Sequence, residues 1–157
     1  MKTRTDKFKT FLLLLLLLNF KASNSQDSLR ARAIDKIFEA RPHGVDSRRD
    51  ITGDTITFYM YQPKTGDFLQ VIEYWNLRKT KISYVYYFDS GELKRVVLWK
   101  ANGMFKKVPS VSFYFDQNKL IHKETNGLDF DDISFILNRG NMFLSKASER
   151  YKEPKFK

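Results

Sequence analysis

The chain has 157 residues, no cysteine, 28 Lys and Arg against 18 Asp and Glu, and 24 Phe, Tyr and Trp. That length suits one domain rather than two, and the aromatic content excludes low-hydrophobicity disorder. The lack of cysteine excludes a disulfide scaffold, a lipoprotein anchor and any thiolate-ligated zinc or iron–sulfur site.

Lys2, Arg4, Lys7 and Lys9 precede an unbroken apolar run from Phe11 to Leu18, and Lys21 to Ser25 is short and polar. This three-part pattern predicts an export signal over residues 1–25, cut before Gln26 after the small pair Ser23 and Ser25. A membrane anchor is the competing reading, but the run falls short of the ~20 apolar residues a spanning helix needs. The expectation is an exported chain, periplasmic or secreted, with no transmembrane span after cleavage. Removing 1–25 takes five basic residues and one acid, leaving 23 basic against 17 acidic, a net charge of +6. That charge suits plain solubility, and it also suits contact with anionic surfaces.

Residues 26–157 read as one domain. In its first part, 26–53, Leu29, Ala33, Ile34, Ile37, Phe38 and Ala40 recur at helical spacing, predicting an amphipathic helix begun by Asp27 or Ser28 and stopped at Pro42. His43 to Gly53, polar with two glycines, reads as a linker or loop.

The middle part, 54–127, carries an internal repeat. Tyr84 to Lys94 overlays Val111 to Ile121 at an offset of 27, and the same step back from Phe88 lands on Tyr61, ahead of the turn Pro63-Lys64-Thr65-Gly66. A supersecondary unit of that period with two-residue turns at Ser90-Gly91 and Gln117-Asn118 is a β-hairpin with its connection. Three hairpins give six antiparallel strands, roughly 55–61, 68–75, 82–88, 93–99, 110–115 and 119–124, in a meander. Phe88 and Phe115 are expected on one sheet face, opposite Leu93 and Leu120. Simple alternation adds Arg95, Val97, Trp99 and His122 to that face.

From 128 to 157 helical spacing returns in Phe130, Ile133, Ile136, Leu137, Phe143, Leu144 and Ala147, with Gly140-Asn141 able to split one helix into two. Asp129, Asp131 and Asp132 fall at its N-terminal end, where carboxylates meet the helix dipole. The segment ends in a basic tail. The fold class is therefore α+β: an N-terminal helix, a six-stranded antiparallel meander of three hairpins, and a C-terminal helix or helix pair.

Tyr86-Tyr87-Phe88-Asp89-Ser90-Gly91-Glu92-Leu93-Lys94 resembles the hairpin signature of variant MORN-type repeat proteins over two hairpins, about a fifth of the chain. The spacing is longer than that family's, and Asn118 replaces the turn glycine in the second copy. The resemblance implies stacked hairpins that serve interaction rather than catalysis.

Two surfaces are candidates for function. If short helices leave part of the sheet open, Tyr59, Tyr61, Tyr74, Trp75, Tyr84, Tyr86 and Trp99 could line an aromatic surface for a ligand or partner, although tyrosines are also ordinary strand formers. Arg78, Lys79, Lys81, Lys100, Lys106 and Lys107 belong to connections that a meander brings to one end, a cationic rim for an anionic glycan or lipid headgroup; ordinary solvated loops look the same. Export argues against nucleic acid as the partner.

No catalytic motif, cofactor fingerprint or metal-ligand spacing is present. His43 and His122 stand 79 positions apart, Asp129, Asp131 and Asp132 lack the spacing of a calcium loop, and no phosphate-binding glycine loop occurs. The expectation is a non-catalytic exported binding protein for an apolar or anionic envelope component. A protein that neutralises a partner protein is the alternative, and a small cofactor-free hydrolase using His122 or His43 a more distant one.

Overall fold

The structure, a computed structural model, describes residues 25–41, 45–63, 65–77, 80–101 and 110–151. Apart from Ser25, the expected leader lies outside them. Helix α1 covers residues 25–39 and is followed by strands β1 (Asp46–Thr52), β2 (Thr55–Tyr61), β3 (Phe68–Leu77), β4 (Thr80–Asp89), β5 (Glu92–Ala101), β6 (Ser110–Asp116) and β7 (Lys119–Asn126), then helix α2 (Ile133–Tyr151). The strands form one antiparallel meander in sequence order.

The α+β class and the meander are as expected, but the sheet has seven strands rather than six. The additional strand, β1, occupies most of the stretch read as a linker. Its sequence Asp-Ser-Arg-Arg-Asp-Ile-Thr hides the alternation because it is an edge strand with little to bury. Charges along an edge also discourage pairing with another chain, and β7 at the other edge carries Lys119, Lys123 and Glu124 for the same effect.

The repeat is structural. Phe88 pairs with Leu93 and Phe115 with Leu120, and both phenylalanines are buried in the same core. Ser90 and Gly91 both take positive φ, as do Gln117 and Asn118, which is the geometry of tight two-residue hairpin turns. The register shifts between Met60 and Tyr61, between Tyr87 and Phe88, and between Tyr114 and Phe115. These bulges recur at the 27-residue offset, each beside its hairpin connection.

The bulges overturn the expected faces. One extra residue exchanges the two sides of a strand, so Val96 and Leu98, not Arg95, Val97 and Trp99, follow Leu93 on the face of Phe88; they pair with Tyr86 and Tyr84. His122 likewise pairs with Tyr114, on the face opposite Phe115.

Helix α2 seals the first face. Asp132 caps it, its Oδ1 accepting a hydrogen bond from the Phe135 amide at 2.9 Å. Asp129 and Asp131 instead bind Lys123 of β7, pinning the lead-in to the sheet. Ile136, Phe143 and Ala147 pack on Tyr59, Tyr61, Tyr84, Tyr86, Phe88 and Phe113, and the Tyr61 hydroxyl donates to the Ala147 carbonyl at 3.1 Å.

The anticipated break at Gly140 does not occur, because α2 runs through it. A Cβ at Gly140 would stand 2.7 Å from Leu93 Cδ2, so the glycine permits close approach of helix to strand. Gly140→Leu is expected to lower stability by about 2 kcal/mol, overpacking outweighing the gain of about 1 kcal/mol in helix propensity. Urea unfolding with an unchanged m value would register it.

Beneath α2 lies a polar pair. Glu73 of β3 is fully buried and accepts two hydrogen bonds from Arg139, one from Nη2 and one from Nε at 3.3 Å. The carboxylate raises the pKa of the arginine, chiefly through those hydrogen bonds. The Tyr86 hydroxyl is buried close by without a hydrogen-bond partner among the described residues. Burial first, then the field of Glu73, holds its pKa far above that of free tyrosine.

Candidate binding face

The second face is shared between α1 and solvent. Cross-strand register sorts it into rows. Arg49, Phe58, Ile72, Val85, Val97, Ser112 and Glu124 are successive partners across all seven strands. Ser47, Met60, Gln70, Tyr87, Arg95, Tyr114 and His122 form the next row toward the hairpin turns. On the other side of the first row run Ile51, Ile56, Tyr74, Ser83, Trp99 and Ser110.

Helix α1 covers the row nearest the turns. Ala31 and Ile34 pack with Tyr114, with Phe38 and Ile121 beside them, and the Phe38 ring lies 4.9 Å from that of Tyr87. Polar contacts fix its position. Arg95 reaches Asp35 at 3.1 Å, and the Tyr114 hydroxyl lies 3.1 Å from the same carboxylate. The Arg95 guanidinium sits against the rings of Tyr87 and Tyr114. Burial raises the pKa of both tyrosines; Arg95 opposes this and Asp35 reinforces it. At the end of the helix Arg41 donates to the Leu69 carbonyl at 3.0 Å, to the Phe88 carbonyl, and to Asp89. Burial lowers the Arg41 pKa, with Asp89 acting against it.

Among the described residues the other half of this face is bare of any helix, although Val85 and Val97 within it are buried. Ile51 is 57 % exposed and Tyr74 45 %, and Phe58 meets Tyr74 edge to face with centroids 6.0 Å apart. Two shallow concavities, about 530 and 400 Å³, adjoin here and share Tyr74, Ser83 and Trp99 as lining. Lys81 lines the smaller one.

Of the aromatic residues singled out from sequence, Tyr74 and Trp99 stand on the bare half. Trp75 is half-buried on the α2 side, against Tyr84 and Phe135. Tyr59, Tyr61, Tyr84 and Tyr86 do not form an open surface; they are core residues beneath α2. Helix α2, continuous over 19 residues, covers more of that face than two short helices would. Of the cationic rim, Lys81 and Lys100 are described and exposed. They do not share a face, since Lys100 pairs with Ile82 on the α2 side. Arg78, Lys79, Lys106 and Lys107 lie outside the described residues.

A larger cavity, about 760 Å³, opens at the hairpin-turn end between Phe68, Phe88 and Leu144. Its polar groups are engaged with one another: Arg41 as above, and Asp67 with Thr65. His122 faces Glu124 at 3.4 Å, and no serine or threonine hydroxyl hydrogen-bonds to it among the described residues. His43 lies outside them. No three His, Asp or Glu side chains among the described residues converge as metal ligands, and none of their helices is long and apolar enough to cross a membrane.

The Arg139–Glu73 and Arg95–Asp35 pairs escaped the sequence reading, although a signal existed. Glu73 alternates in phase with Val71 and Trp75, and Arg139 follows Ile136 by three positions and precedes Phe143 by four. Each charge thus lies on an apolar stripe, where a partner is needed. Comparison with protein-family models, with curated proteins and with solved structures finds no match.

Proposed function

We propose that this chain is an exported, non-catalytic interaction protein that holds its partner on the bare half of the α1 face. The observation that carries the reading is the row Ile51, Ile56, Tyr74 and Trp99, apolar and partly open to solvent on a face whose other half is closed by a helix. Exposed aromatic residues in shallow concavities with polar neighbours are the usual energetic centre of a binding surface. The leader-like N-terminus supports export. The split of Lys81 and Lys100 between faces favours an apolar centre with a charged margin over a purely anionic ligand.

Placing p-benzoylphenylalanine at Tyr74, and separately at the exposed α2 position Asn138, tests this in the native host. Irradiation should give a discrete higher-mass adduct from position 74 and none from position 138. Identical adduct patterns, or no adduct from 74, would overturn the proposal.

A further inference from the structure

Resting on that reading, we infer that the partner presents an amphipathic helix, its apolar stripe on Tyr74 and Trp99 and carboxylates along its flanks. The face already accepts one helix of this kind: α1 lays Ala31, Ile34 and Phe38, spaced three and four residues apart, on its covered half. The bare half spans β1 to β5, about 19 Å at the usual strand spacing, which is room for one further helix of about 10 Å diameter beside α1.

The surface is concave along Tyr74, Ser83 and Trp99, so it receives protruding side chains rather than a flat bilayer. Its lining exposes mainly apolar surface, with Ile56, Ile72 and Val85 beside the rings of Tyr74 and Trp99, and Gln70, Ser83 and Lys81 as its polar groups. The ionised side chains that strands β1 to β5 place on this half are Arg49 and Lys81, both exposed. Those strands place no carboxylate there: Glu73 and Asp50 belong to the α2 side, and Asp54 belongs to the β1–β2 turn. Opposite charge on the incoming helix would fix its register and speed encounter.

Two helical peptides of about 20 residues, identical in their Leu and Phe stripe and flanked by Glu in one and Lys in the other, test the inference by NMR titration of the labelled protein. The Glu-flanked peptide should bind about tenfold more tightly or better, shift the Tyr74, Ser83 and Trp99 signals, and lose its advantage near 1 M salt, where screening acts within about 3 Å. The exposed double variant Arg49→Glu with Lys81→Glu should reverse the preference. Equal or tighter binding of the Lys-flanked peptide, or shifts confined to other surfaces, would overturn the inference, as would binding to phosphatidylglycerol vesicles with neither peptide bound. If the peptides fail while position 74 still crosslinks, the partner class is wrong and the surface stands. If both fail, both readings fall.

Discussion

Arg139→Met should lower stability by about 3–5 kcal/mol, because it leaves the Glu73 carboxylate charged and alone beneath α2. The reverse truncation, Glu73→Gln, should cost less, since Arg139 keeps 31 % of its side chain in solvent and can turn outward. Replacing both, with Glu73→Leu and Arg139→Met, should recover most of the loss, because well-packed apolar residues often match a buried ion pair. Urea unfolding of the four proteins measures each term. A single arginine variant as stable as wild type would mean that the pair does not hold α2 on the sheet.

Alkaline unfolding should be unusually steep. Burial raises the pKa of Tyr84, Tyr86, Tyr87 and Tyr114, with Glu73 adding to it for the first two. A tyrosine raised in this way stays protonated in the folded chain while the unfolded chain loses its proton above pH ~10. The unfolded state then binds fewer protons, so stability falls as pH rises, by about 1.4 kcal/mol per pH unit for each such tyrosine. Lys94 acts in the same direction. Its hydrogen bond with Glu92 raises its pKa, so the stabilisation it provides is present below the unfolded value and lost as pH climbs past the folded one. Tyrosinate absorbance should therefore rise in a cooperative step that coincides with loss of the sheet signal in circular dichroism. A gradual titration of all the tyrosines near pH 10, with the sheet intact, would contradict their placement in the core.

The hairpins were legible in the sequence because each unit carries its own turn and its own aromatic alternation, so the offset from Phe88 to Phe115 fixes the pairing of each with a leucine. Which residues share a face was not legible beyond the turn. The bulge beside each turn is set by pairing between strands, and Lys94 or Ile121 looks the same in sequence whether or not it is the extra residue. That one-residue slip moved Trp99 from the face expected for Phe88 to the opposite, open face, and His122 likewise to the α1 side. The β1 strand was hidden for a different reason: Arg48, Arg49 and Asp50 suit an edge, and an edge with little to bury leaves no hydrophobic period to read. The candidate surface was half legible. Tyr74 and Trp99 were among the aromatics singled out, but separating them from Tyr59, Tyr61, Tyr84 and Tyr86 needed the length and continuity of α2.

Hydroxyl-radical footprinting, comparing the purified chain with the chain in its native cellular fraction, tests the bare half of the α1 face as a binding surface without knowledge of the partner. Ile51, Ile56, Tyr74 and Trp99 should be oxidised in the purified protein and protected in the native fraction, with exposed Leu120 on β7 oxidised alike in both. Equal oxidation of Tyr74 and Trp99 in the two preparations, or protection confined to Leu120, would contradict it.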